Sequence, residues 1–176
     1  MSNADITLIN LNMLLIRYVD SLERELHVAL GPLYLAAALE QAGFSVDHRD
    51  YQTCEAEEPM LPESVVEFCK DPAPVIGLSC MANLLPFTLL AAKALRERYP
   101  DHTIILGGVG PMSVEKDILE RFDWIDIVAH GEGEHSVVSL LSALKNNSPL
   151  DDVPGVFHRK NGQVLKHEPP PRLEDL

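Results

Sequence analysis

Cationic residues are scarce in this sequence. Lysine and arginine together number 14 against 27 aspartates and glutamates, a formal net charge of -13. So acidic a surface repels phosphate backbones and anionic headgroups, so neither nucleic acid nor a membrane is an expected partner. Solubility alone is also a sufficient reason for such a charge. Cysteine is equally sparse. Cys54, Cys69 and Cys80 form an odd set without a C-x-x-C pair. That argues against a disulfide framework and supports neither a zinc nor an iron–sulfur site. Long apolar runs are missing too: residues 84–95 come nearest, and they are short and broken by Lys93. No cationic leader opens the chain. A reducing, cytoplasmic setting is therefore expected. What remains is a chain of 176 residues, 46% of them hydrophobic, which suits one globular domain with a real core.

Within it, strand-like and helix-like runs alternate. Residues 6–11 read as a buried strand. Residues 32–42 (PLYLAAALEQA) read as a helix with Pro in the first turn and Gly43 as its stop. Residues 45–50 alternate weakly, as an exposed edge strand would. A short helix over 63–70, a buried strand over 75–78 and a long helix over 85–99 follow. Then come a strand over 103–106, a helix over 114–122, a strand over 126–129 and a helix over 135–144. This alternation predicts an α/β fold: a doubly wound, five-stranded parallel sheet in the flavodoxin-like (Rossmann-like) order 2-1-3-4-5. Asn161-Gly162 between two extended runs predicts a β-hairpin after it. The expected organisation is an α/β domain over 1–150 and a hairpin extension over 151–168. A proline-rich linker over 169–176 would lead to a downstream domain absent from the chain.

Open parallel sheets bind ligands at the carboxyl ends of their strands. Several turns there are built of small residues. One is Ser79-Cys80-Met81-Ala82-Asn83. Another is Gly107-Gly108-Val109-Gly110, and a third is Gly131-Glu132-Gly133-Glu134. Glycine admits close backbone approach to a ligand, and it also serves tight turns that hold none. Ser79 could equally bond its own backbone. Glu132 and Glu134 are placed where a helix dipole favours acids, and a ligand contact is the alternative. His130 and His135 flank that turn without an evident third ligand, so no metal site is expected there.

An ordered set of segments then resembles the cobalamin (B12)-binding domain that precedes the catalytic module of B12-dependent radical S-adenosylmethionine (SAM) enzymes. The segments are 30–40 with Gly43-Phe44-Ser45-Val46, then Val75-Ile76-Gly77-Leu78-Ser79, Ile104-Ile105-Leu106-Gly107-Gly108, 126–134, and Gly155-Val156 with the hairpin. They run in family order over nearly the whole chain. The resemblance implies a cobalamin cofactor with Gly31, Pro32, Leu33, Ser79, Cys80, Met81, Gly107, Gly108, Val109, Gly131, Glu132, Gly133 and Glu134 around it. It implies that Ser79 hydrogen-bonds the dimethylbenzimidazole tail and that Gly107 and Gly108 let the tail lie deep. Met81 stands where the wider family's S-x-L motif has Leu.

The wider family's D-x-H-x-x-G, whose His binds cobalt, is missing. Glu25-Leu26-His27-Val28-Ala29-Leu30-Gly31 is one residue too long. The resemblance therefore implies a base-off cobalamin without a protein histidine, with His27 as the one residual candidate. It also implies SAM and a [4Fe-4S] cluster, but only in the missing downstream domain, because no C-x-x-x-C-x-x-C stands here. Such a chain binds cofactor without turning substrate over. The alternative is a flavodoxin-like docking or substrate-gripping domain that has lost its cofactor. A phospho-acceptor receiver is disfavoured, because the strand over 75–78 ends on Ser79 rather than Asp. If His27 is not a ligand, His27→Ala leaves the cob(II)alamin EPR spectrum unchanged. Loss of a three-line nitrogen splitting in the variant would identify His27 as the ligand.

Overall fold

A computed structural model describes residues 3–17 and 22–167, with the backbone alone for 14–17, 22–25 and 135; the expected linker over 169–176 lies outside the described residues. The elements in chain order are β1 (Ile6–Asn10), β2 (Leu14–Arg17), β3 (Leu22–Glu25), α1 (Leu30–Gln41), β4 (Val46–Asp50), α2 (Pro62–Phe68), β5 (Val75–Ser79), α3 (Leu85–Arg98), β6 (Thr103–Gly107), α4 (Glu115–Arg121), β7 (Ile127–Ala129), α5 (Gly133–Lys145), β8 (Val156–Lys160) and β9 (Gln163–Lys166).

The main sheet runs β4-β1-β5-β6-β7-β8-β9. Its first five strands are parallel, in the order expected from the alternation. The expected C-terminal β-hairpin is present and continues the sheet. Asn161 and Gly162 take positive φ, as a tight hairpin turn demands, and β8 joins β7 antiparallel, so the sheet has seven strands. A difference lies between β1 and α1, where the alternation held no strand-like run. Here β2 and β3 pair antiparallel as a separate two-stranded sheet. Leu-Glu-Arg-Glu in β3 shows neither the β-branched content nor the clean alternation that marks a strand.

Period-2 side-chain alternation divides the core between two faces. Ile9, Ile76, Leu78, Ile104, Leu106 and Val128 face α2, α3 and α4. Ile6, Leu8, Val75, Ile105 and Ile127 face Ala36 and Leu39 of α1 and Leu140 and Leu141 of α5. Helix α1 ends in a Schellman motif: Phe44 N–H donates to Leu39 O, Gly43 N–H donates to Glu40 O, and Gly43 has φ +86°. Helix α5 ends the same way, with Asn147 at φ +50° in the glycine's place. No helix among the described residues is long and apolar enough to cross a membrane.

One cation locks α4 to the sheet. Arg159 of β8 donates from Nε to Leu119 O (2.8 Å), from one terminal nitrogen to Ile125 O (2.6 Å) and from the other to Phe122 O (2.6 Å). Those carbonyls lie at and just beyond the end of α4, where helical partners run out. Arg159→Met keeps most of the apolar stem and strands all three acceptors. We expect it to lower stability by about 2–4 kcal/mol in urea unfolding, since bonds to charged groups contribute about 1.5–3 kcal/mol each and are not additive.

Candidate functional site

The register of the parallel strands puts two rows of residues across the face that α1 and α5 cover. The inner row is Leu8, Gly77, Ile105 and Ile127; the outer row is Asn10, Ser79, Gly107 and Ala129. The inner row lacks a side chain at Gly77, and the outer row is small at three of its four positions. The gap is real. A Cβ built on Gly107 meets nothing nearer than Ala129 Cβ, at 3.7 Å.

Above this floor α1 and α5 come close. A Cβ on Gly133 would lie 2.8 Å from Leu35 Cδ2, so glycine there sets how tightly α5 seats on α1. The result is a cavity of about 220 Å³ at the carboxyl ends of β1, β5, β6 and β7. This is the edge where β1 and β5 send their connections in opposite directions, the switch point of the sheet. The lining is mainly apolar: Ile6 and Leu8 from the floor, Pro32 and Leu35 from α1, Val137 and Leu140 from α5.

Four residues with polar side chains line it: Ser79, Glu132, Glu134 and Ser136. Ser79 lines the cavity, and its hydroxyl makes no hydrogen bond among the described residues. Glu134 lines it from the first turn of α5, and its Oε2 is buried without a hydrogen-bond partner among the described residues. A buried acceptor without a donor costs free energy in the empty site, and a ligand hydroxyl or amide would restore it.

Of the residues expected from sequence, Gly31, Pro32, Ser79, Gly107, Gly108, Gly131, Glu132, Gly133 and Glu134 line the cavity together. Leu33, Cys80, Met81 and Val109 do not. Leu33 and Val109 are exposed, Val109 at 59%. Cys80 follows Ser79 by one residue and so turns to the opposite face, into the core beside Ile76 and Leu78. Its backbone N–H donates to Gly107 O and its carbonyl accepts from Gly110 N–H (2.9 Å), which ties the β5 turn to the β6 turn. Burial pushes the Cys80 thiol up to about 11, so it stays protonated at neutral pH. Gly77, Leu35 and Val137 escaped the sequence reading. Gly77 carried a usable signal, because a lone glycine inside a strand marks a close approach.

His27 does not line the cavity. Its backbone is clamped on both sides by buried Gln52, with His27 N–H donating to Gln52 Oε1 (3.0 Å) and Gln52 Nε2 donating to His27 O (2.8 Å). The ring is half-buried rather than free in solvent, with Nδ1 unpartnered among the described residues. His130 is likewise engaged: its Nδ1 lies 2.5 Å from Oε1 of buried Glu115, which fastens α4 to the end of β7.

The two adjacent glycines behave oppositely. Gly108 has φ +88°, and its Cβ would fall 2.6 Å from Cys80 O. Gly108→Ala should therefore destabilise the chain by about 1–3 kcal/mol. Gly107→Ala, with open space ahead of it, should change stability by no more than about 1 kcal/mol. Urea unfolding of the two variants side by side checks the contrast.

A mainly apolar cleft with a few convergent polar groups has the form of a small-molecule site. The family model described as "B12 binding domain" matches residues 19–141. The anaerobic magnesium-protoporphyrin IX monomethyl ester cyclase of Synechocystis sp. is 33% identical over 147 residues, covering 84% of this chain and 29% of that protein. The cobalamin-dependent radical SAM methyltransferase TokK of Streptomyces tokunonensis is 29% identical over 150 residues, covering 81% of this chain and 22% of that protein. The structure of the radical SAM methyltransferase TsrM from Kitasatospora setae, with cobalamin and a [4Fe-4S] cluster bound, shares the fold at a TM-score of 0.71 and 17% identity, over 94% of this chain and 29% of that one. The chain thus spans less than a third of the length of these relatives. A cleft between the sheet and its α1–α5 cover, in a sequence that matches over most of its length, makes this chain a member of the B12-binding domain family.

Proposed function

We propose that the chain is the cobalamin-binding module of a B12-dependent radical SAM enzyme. Its SAM- and [4Fe-4S]-binding catalytic domain would follow residue 176 in the parent chain, reached through the linker over 169–176. Methyl transfer or a radical rearrangement is the reaction class that goes with such a parent. One observation carries the binding mode: the open space over Gly107 in a mainly apolar cavity that Ser79 also lines. A tail lying in that space has left the cobalt, so the cofactor is held base-off.

In this reading each residue has a separable task. Gly77 lets Leu8 lie down against the sheet, and Gly107 leaves the depth that a flat ring needs. Ile6, Leu8, Leu35 and Leu140 bury its faces, at roughly 25 cal/mol for each Å² of apolar surface removed from water. Ser79 donates its hydroxyl to a ring nitrogen. Glu134 Oε2 accepts from a hydroxyl or amide of the tail. The positive φ at Gly108 and Gly131 keeps side chains out of the mouth. His27, clamped at its backbone and outside the cavity, is left out of the metal's coordination. Bound cobalamin supplies the chemistry at cobalt; this chain binds and orients it.

Mixing the protein with hydroxocobalamin, desalting and recording the visible spectrum tests the proposal. The expected outcome is retained colour with a shifted band. Gly107→Val should cut retention at least about tenfold while leaving the far-UV circular dichroism unchanged, because a loss of about 1.4 kcal/mol already gives that factor. A colourless wild type at micromolar concentration, or a Gly107→Val variant that retains colour equally, contradicts it.

A further inference from the structure

A second ligand-competent cluster lies away from the cofactor cavity, on the hairpin. His158 in β8 pairs with Leu165 in β9, and the ladder continues as His167 N–H donates to Val156 O. Two residues beyond Leu165, His167 is the diagonal neighbour of His158 on the same face of the hairpin. The two rings stack, with planes 10° apart and Nε2 atoms 3.0 Å apart. Asp151, from the connection between α5 and β8, completes the group. One ligand atom from each of Asp151, His158 and His167 falls within a mutual 4.8 Å, the one such set of three His, Cys, Asp or Glu residues among the described residues.

The geometry matches what a small cation needs. At a zinc–nitrogen distance of about 2.0–2.1 Å, two nitrogens around a tetrahedral ion stand about 3.3 Å apart. The present separation of 3.0 Å needs only a small opening. The His158 ring is also oriented for ligation. Its Nδ1 lies 3.3 Å from the Arg159 carbonyl, which can only accept, so Nδ1 carries the proton and Nε2 carries the lone pair. A backbone carbonyl on the far nitrogen is the usual way a metal-binding histidine is held. His158 is 7% exposed, whereas His167 is half-buried, so an ion could enter from the His167 side. Lys160 Nζ holds Asp151 Oδ2 at 2.5 Å and leaves the second carboxylate oxygen for the ion.

We propose that Asp151, His158 and His167 form a site for a borderline divalent ion, Zn(II) foremost, with a fourth position open to water. Two imidazoles and one carboxylate are the donor set such ions prefer over magnesium or calcium. None of the three residues lines the cofactor cavity, so the site is independent of cobalamin binding. An ion there would clasp the β8–β9 hairpin to the connection that follows α5.

Isothermal titration of the metal-stripped chain with Zn(II) tests this directly. The expected result is saturation at one equivalent with a micromolar or tighter Kd. His167→Ala and Asp151→Asn, both at partly exposed positions, should each weaken binding about tenfold or more with unchanged far-UV circular dichroism. Zn(II) should also raise the Tm of the wild type and not that of His167→Ala, because an ion that binds only the folded state stabilises it by linkage. Absence of a saturable one-to-one event would overturn the site. So would wild-type affinity in both variants, which would leave the two histidines as a hydrogen-bonded pair and place any bound zinc elsewhere.

Discussion

A sheet face covered by helices is normally packed without gaps, and this one is not. Leu8 folds over the bare strand position at Gly77, where a Cβ would lie 2.7 Å from its Cδ2, and Gly107, one row higher, faces open space. Leu35 against Gly133 sets the helices that roof it. An unfilled apolar gap costs packing energy, so the domain trades stability for depth at its ligand edge.

The turns around the slot are held by backbone rather than by side-chain charge. Cys80 joins the β5 turn to the β6 turn through two main-chain hydrogen bonds, and Gly108 and Gly110 crowd against it closely enough that a Cβ on either would collide. The scaffold is therefore rigid where a ligand would lie. The polar groups left over, the Ser79 hydroxyl and Glu134 Oε2, face inward. Two unpaired polar groups in an otherwise mainly apolar lining can fix the orientation of a bound molecule.

The parallel order was legible because each buried strand is a short apolar run with β-branched residues, and the edge strand is visibly weaker. The β2–β3 hairpin was not legible, because the charged residues of β3 carry no strand signature. Among site residues, the glycines were found because turns at a sheet edge are where ligands lie. Cys80 and Met81 were grouped with Ser79 through the resemblance to an S-x-L motif, and in the structure neither lines the cavity. His158 and His167 have no motif spacing. They become neighbours only once the Asn161-Gly162 turn fixes the hairpin register, so that pair was recoverable from the turn and unremarkable without it.

The account stands or falls on the slot receiving the cofactor's nucleotide tail. Parallel titrations with cobalamin and with cobinamide, which keeps the corrin and lacks the dimethylbenzimidazole tail, isolate that claim. Affinity for cobalamin should exceed that for cobinamide at least about tenfold, since burying a flat aromatic group is worth well over 1.4 kcal/mol. Equal affinities for the two would show that the corrin alone is recognised and would contradict the assignment of the cavity.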